Sequence, residues 1–518
     1  MNGAECLLRT LLQNAVDVCL MNPGTSEMQF VSALDRVPGM RGVLCLFEGV
    51  VSGAADGYAR MSGRPAATLL HLGPGLANGL ANFHNARKAR SPIVSIVGEH
   101  SSEHLRHNAP LTTDIAQLAR PVSGWVHTLA SAQRMGEAAR EAVAAALQPP
   151  GQVATLIVPA DYSWGEAGAP GTVVPRPVRA LPDGARIREI AAILRANRST
   201  GLLLSGTALL DRALLAAARL AEATGVRVFA DRFAARMQCG AGRFAPEKIP
   251  YFPEPALALL SGLEHMILVE AHPPVSFFGY PNLPSEMAPP DCRMEVLAAP
   301  EQDGSAALEA LAEECGARQA PRVVEIPRAE LPLGAAPLTA ASIGQAIAAL
   351  MPEHAILSDE MVSSSEPVWR ELAGAPPHDY LTVSGGSIGQ GLPAALGAAL
   401  ACPDRKVIAL EADGSAMYTL QALWTMAREN LDVVTVIFAN RAYRILNIEL
   451  RRTGAGEAGP RAAAMMDIGR PDLDWVALAR GHGVCATRAT TTAEFVTQFG
   501  AAMRERGPRL IEAVLAAD

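Results

Sequence analysis

The chain lacks any cysteine pattern that would staple a small fold or hold a metal. Its eight cysteines, at positions 6, 19, 45, 239, 292, 315, 402 and 485, form no CxxC pair, and several lie in apolar segments. That excludes a disulfide scaffold and a zinc knuckle, and points to reduced thiols in a cytoplasmic protein. No uninterrupted apolar run approaches the ~18 residues of a membrane span. The first residues carry Glu5 and Asp17 among periodic apolar positions, the pattern of an amphipathic helix rather than a signal peptide. Charged residues make up 19% of the chain and the net charge is −8, with no basic stripe, so nucleic acid is excluded as a partner. Also missing are the Lys-Ser/Thr of a phosphate-binding P-loop and the GxGxxG spacing of a dinucleotide site.

What is present is regular alternation of short apolar strands with helical stretches over 518 residues, enough chain for about three domains. The expectation is an α/β protein of three domains, each a doubly wound, mainly parallel sheet. A proline-spaced stretch at 175–182 marks one boundary, giving domains over 1–172, 183–330 and 335–518. In the middle one, residues 201–206, an Ala/Leu-rich helix to Thr224 and residues 226–231 form a βαβ unit. Asp231 stands where a ribose-binding acid would, yet the turn Ser205-Gly206-Thr207-Ala208 lacks the glycines that let backbone approach a pyrophosphate. A Rossmann-like domain without a nucleotide is therefore expected.

The richest stretch is 406–450. An apolar strand at 407–410 breaks at Asp413-Gly414-Ser415, a helical stretch follows, and a second strand at 433–438 ends at Asn440. In a parallel sheet both strand ends reach one carboxyl edge, where open α/β sheets bind ligands. A carboxylate and an amide oxygen meeting there suit Mg2+, a hard cation that takes one or two protein oxygens and completes its shell with phosphates and water. The helix start near Ser415 offers N–H groups to a phosphate. Taken alone, Asp-Gly after a strand is often only a turn.

Three other strand ends carry polar groups. Glu48 follows an apolar strand at 42–47 and opens a helix, either as an ordinary cap or, poorly hydrated, as a carboxyl able to share a proton with a ligand nitrogen. His71 ends the strand at 66–71 and precedes a glycine-rich loop at 72–79. Asp359 and Glu360 end the strand at 355–360, as solvated acids or as substrate contacts. A further glycine loop at 384–393 lets backbone come close to a ligand. His104 and His107 have no acidic or thiol partner nearby and are weak metal candidates.

Asp-Gly-Ser, a gap of this length and then Asn resembles the cofactor motif of thiamine diphosphate (ThDP) enzymes. The flanks resemble their decarboxylase and acetolactate synthase group, benzoylformate decarboxylases in particular. The resemblance implies two ThDP-binding folds flanking the Rossmann-like domain, with ThDP and Mg2+ as cofactors. It implies a lyase or transferase that cleaves or forms the C–C bond next to a carbonyl, through an ylid and an enamine. Asp413, the Asn440 side chain and the Ala442 carbonyl would bind magnesium. Val362, Ser363, Gly414, Ser415 and Tyr443 would line the diphosphate. The Gly386 carbonyl would accept from N4′, Ile388 would wedge beneath the cofactor, and Glu48 would be the activating glutamate at N1′. His71 would serve as a catalytic proton shuttle and, with Thr25, Leu111 and Ile445, would face the substrate.

The same resemblance implies a homodimer with shared active sites, paired into a tetramer, acting on a small 2-oxo acid or aldehyde. There are departures. Ala412 and Ala439 replace a usual Gly and Asn. Gly279 stands where benzoylformate decarboxylases place a second histidine, with His272 several residues away. Glu449 stands where acetolactate synthases carry Trp. Acetolactate synthases also hold FAD in the middle domain, and with no FAD signature legible, FAD is not expected here. The alternatives are an FAD-containing acetolactate synthase and a catalytically silent relative with a binding role; intact Glu48, Asp413 and Asn440 speak against the latter.

Overall fold

Short strands of two to seven residues, the central ones mostly aliphatic, form three sheets in the computed structural model, which describes residues 1–196, 199–319, 321, 326–332 and 334–516. The sequence-expected boundary near 330–335 falls partly outside these, as do residues 517–518. The first sheet has the order Arg41–Leu44, Val18–Asn22, Ala66–Leu70, Ile93–Glu99, Val153–Pro159, Trp125–Thr128, all parallel. Its central strands are buried along their whole length, as strands covered by helices on both faces must be.

The second sheet runs Glu247–Lys248, Arg227–Ala230, Thr200–Leu204, His265–Val269, Arg293–Ala298, again parallel. The third runs Cys485–Ala489, Arg509–Val514, Val433–Ala439, Val407–Ala412, Ile356–Glu360, His378–Thr382 and lastly Arg236–Cys239. That last strand pairs antiparallel with His378–Thr382 and comes from within the middle stretch of sequence. The middle stretch thus lends an edge strand to its neighbour, fixed by Arg236 on Asp379 at 2.6 Å.

Two helices join the first and last sheets. Helix Glu48–Ser62 crosses helix Gly391–Ala401 with backbones in contact: a Cβ on Gly57 would lie 2.1 Å from the Ala394 carbonyl oxygen, and one on Gly397 1.9 Å from that of Ala54. Buried Arg60 pairs with Asp56 at 2.6 Å and donates to the carbonyls of Thr382 and Ala235. Among the described residues no helix is long and apolar enough to cross a membrane.

Two local expectations change. The glycine-rich stretch at 72–79 is not a loop but the first two turns of helix Leu72–Ala89. Packing overrides the poor helix propensity of glycine: a Cβ on Gly73 would meet Thr113 at 2.4 Å, and one on Gly75 would crowd the Glu48 carboxylate at 3.3 Å. After Asp413 the chain makes one turn, Asp413–Ala416, and a separate helix Ala422–Arg428 follows.

Candidate active site

Strands Val407–Ala412 and Val433–Ala439 pair with Ala412 opposite Phe438, so Asp413 and Asn440 leave the sheet at one edge. Asp413 is 3% exposed; it accepts from the N–H of Gly414 at 2.9 Å and of Arg441 at 2.6 Å. Asn440 Oδ1 accepts the Ala442 N–H at 2.9 Å. Burial pushes the Asp413 carboxyl up to about 6, against the pull of the Arg441 and Gly414 N–H groups. A buried carboxylate of this kind favours a cation beside it. Among the described residues no group of three or more His, Cys, Asp or Glu side chains is placed to hold a metal. One carboxylate with neutral oxygens fits Mg2+ rather than zinc.

Around this point stand the other expected diphosphate residues. The Tyr443 ring lies over Gly414, where a Cβ would come within 2.5 Å of Cε1. Ser415 Oγ lies 3.4 Å from the carbonyls of Ala412 and Glu360. Val362 adopts φ +53° at the start of the single turn Val362–Ser364, exposed, with Ser363 half-buried beside it.

The loop before helix Gly391–Ala401 is clamped from three sides. Gly386, at φ +73°, packs against the Phe277 ring of the middle domain, and Ile388 is half-buried. Asn85 donates to the Ser387 carbonyl at 2.7 Å and accepts its N–H at 3.1 Å. Asn82 donates to the carbonyls of Gly389 at 2.9 Å and Gly49 at 2.8 Å. From below, the Glu360 carboxylate accepts the N–H groups of Gly389 and Gly391.

The sequence reading of Asp359 and Glu360 as solvated or substrate-facing acids is therefore corrected. Both are buried. Asp359 accepts from Tyr380, Ser365 and the Met361 N–H. Glu360 lies opposite buried Glu411 on the paired strand. Desolvation raises Glu360 to about 7 and Glu411 well above the usual carboxyl range. Two carboxyls so placed keep a proton on one of them at neutral pH.

On the first-domain side, Glu48 opens its helix, buried, with Oε2 accepting from Asn78 Nδ2 at 3.0 Å. His71 caps the next strand, and its Nδ1 lies 2.8 Å from Glu27 Oε2, which also accepts the Gly24 N–H at 2.7 Å. Burial raises the Glu27 carboxyl. A Cβ on Gly24 would sit 2.3 Å from His71 Nδ1, so a side chain there would displace the imidazole. Thr25 is exposed two residues before Glu27 in the same turn, Leu111 is exposed in the loop after Glu99, and half-buried Ile445 lies on helix Arg444–Arg452 of the last domain.

Sequence reasoning missed Glu27, Asn78, Asn82 and Asn85. Asn78, Asn82 and Asn85 recur at four- and three-residue spacing on one helix, a stripe of amides among small and apolar residues, which is the signal that could have found them. His272 is engaged with Arg90, its Nε2 3.2 Å from Nη2, while the Phe277 ring packs against Gly386. Glu449 accepts from Tyr280 at 3.0 Å, binding its helix to the middle domain. Within one chain, Glu48 and Asp413 bond to partners in different domains.

Comparison with known proteins gives the following. Residues 1–118 match the model described as "Thiamine pyrophosphate enzyme, N-terminal TPP binding domain", and residues 364–513 the corresponding C-terminal TPP binding domain. The chain is 50% identical over 517 residues to "Putative acetolactate synthase large subunit IlvX" of Mycobacterium tuberculosis, covering 99% of each. It is 32% identical to benzoylformate decarboxylase of Pseudomonas aeruginosa, over 95% of this chain and 94% of that one. The structure superposes on a Rhodococcus jostii ThDP-dependent 4-hydroxybenzoylformate decarboxylase with a TM-score of 0.85 at 27% identity, over 100% of both chains.

Proposed function

Because the chain belongs to the family of thiamine pyrophosphate enzymes, we propose that it binds ThDP with Mg2+ and decarboxylates a 2-oxo acid with an aromatic or bulky apolar side chain, releasing an aldehyde. The observation that carries this reading is the buried Asp413 carboxylate beside Asn440 at one sheet edge, an oxygen pair with the chemistry of a magnesium-diphosphate seat. Bound ThDP supplies a nucleophilic carbon and an electron sink.

The chain's own residues do the rest. Asp413, Asn440 and the Ala442 carbonyl would hold the metal, and Gly414, Ser415, Tyr443, Val362 and Ser363 would line the diphosphate. Glu48 would hold a proton at the aminopyrimidine ring, the Gly386 carbonyl would accept from its amino group, and Ile388 would support the cofactor. Leu111 would give the substrate side chain an apolar contact, with Thr25 and Ile445 at its edge. With Glu27 ionised, the His71 Nδ1–H donates to it, leaving Nε2 to move the product proton.

That relay has its own test. Glu27→Gln and His71→Ala should each lower kcat for decarboxylation by about 10²-fold, within the range for general acid–base groups. The double variant should be no slower than the worse single one. Multiplicative losses would contradict a coupled relay. A second test concerns Gly414: Gly414→Ala displaces the Tyr443 ring and should weaken ThDP binding by at least about tenfold, read by fluorescence titration. Unchanged affinity would remove Tyr443 from the diphosphate site.

Apolar groups left open on both half-sites support a homodimer with shared sites, doubled into a tetramer. Tyr418 is 52% and Met465 76% exposed on the last domain, with Leu46 exposed beside Glu48 on the first. The cysteines, all free and only one of them exposed, support a cytoplasmic location.

The 50% identical relative named as an acetolactate synthase subunit favours a second reading, carboligation of two 2-oxo acids. Glu449, held by Tyr280, argues against it. A catalytically silent relative would fail to bind ThDP.

A further inference from the structure

We propose that Glu270 is a built-in anion seated where a nucleotide diphosphate would enter the middle domain, closing this domain to FAD and ADP. FAD, which acetolactate synthases carry in this domain, does not fit the residues present.

The seat is defined by topology. Strand Thr200–Leu204 lies between Arg227–Ala230, to which the chain crosses next, and His265–Val269, reached later on the other side. The crevice at the ends of Leu204 and its partner Val269 is a topological switch point, where open α/β sheets take their ligands. Glu270 follows Val269 directly and turns its carboxylate into that crevice.

There it takes the donors an anionic ligand would use. It accepts the Thr207 N–H at 3.0 Å, the Gly304 N–H opening helix Gly304–Glu314 at 3.0 Å, and the Thr207 hydroxyl. The Arg179 guanidinium stands 3.2 Å away. Backbone N–H groups at a strand-to-helix turn, a helix N-terminus and an arginine make up a phosphate cradle. Gly206 is shaped to the occupant: a Cβ there would lie 2.3 Å from Glu270 Oε2.

Glu270 is 1% exposed and sits at φ +53°, a conformation that favours glycine. A side chain kept in that conformation, with every one of these donors spent on it, is an occupant rather than a bystander. Asp231, at the position where a ribose-binding acid would stand, accepts the Ser205 hydroxyl at 3.0 Å. The cavity left beside the turn is about 340 Å3, near the low end of small-ligand pockets.

The test uses protein loaded with ThDP and Mg2+, so that the last domain's diphosphate site is filled, with FAD and ADP as probes. Wild-type protein should emerge from desalting without flavin absorbance. Glu270→Gly, which suits the backbone and empties the cradle, should bind ADP at least about tenfold more tightly than wild type in calorimetry. A folded Glu270→Gly protein that binds ADP no better than wild type would overturn the proposal. So would wild-type protein that retains FAD, a result that needs no variant and leaves the decarboxylase reading standing. Circular dichroism checks the fold, and Glu270→Ser replaces the glycine variant if that does not fold.

Discussion

Glu48→Gln is expected to slow exchange of the ThDP C2 proton by about 10²- to 10⁴-fold, the range for removal of a positioned proton-transfer group. ThDP affinity should change only a few fold. The physical reason lies in the surroundings of the carboxyl. It is buried at the first residue of its helix, beside the Gly75 backbone, with Asn78 as its hydrogen-bond donor. A glutamine keeps the shape and accepts from Asn78 through its amide oxygen, so the helix and its packing survive. What it cannot do is hold and release a proton at the ring nitrogen. Exchange measured by deuterium incorporation and quenched-flow NMR decides the matter: near wild-type exchange would remove Glu48 from this role.

Asp413→Ala should abolish Mg2+-dependent ThDP binding, weakening it by at least about 10²-fold, since it deletes the only charged ligand of the proposed metal site. It also strips the acceptor from the Arg441 and Gly414 N–H groups, so stability could fall for a reason unrelated to metal. Asp413→Asn separates the two effects. It keeps an acceptor in place and removes the charge, so cofactor binding should be lost while thermal stability of the apoprotein holds or rises. The sign follows from linkage. The folded carboxyl titrates near 6, above its unfolded value. Its contribution to apoprotein stability is therefore complete below the unfolded value and lost as pH rises through about 6. At neutral pH the ionised carboxylate is a cost that Mg2+ offsets. ThDP titrations indifferent to Mg2+ in wild type, or unchanged in Asp413→Ala, would contradict the metal site.

The parts of this site legible in the sequence are those fixed by local pattern. Asp413 and Asn440 follow apolar strands, and parallel pairing alone carries both to one edge. Glu48 was legible because an apolar run and a helix start bracket it. Glu27 was not: it matters only because a strand 44 residues later delivers His71 to it. Asn82, Asn85 and Glu360 likewise acquire meaning from a loop some 300 and 30 residues away, respectively. The stretch 72–79 misled because glycine and proline usually break helices, whereas here close packing against Thr113 and Glu48 requires the missing side chains. The edge strand Arg236–Cys239 was hidden because it leaves the middle stretch of sequence to join the last domain's sheet, beside His378–Thr382.

The most direct test of the account is incubation of the protein with ThDP, Mg2+ and either benzoylformate or pyruvate, with products followed by proton NMR. The account predicts cofactor-dependent conversion of benzoylformate to benzaldehyde, faster than any consumption of pyruvate. Acetolactate from pyruvate, or no turnover of either 2-oxo acid by protein that has bound ThDP, would contradict it.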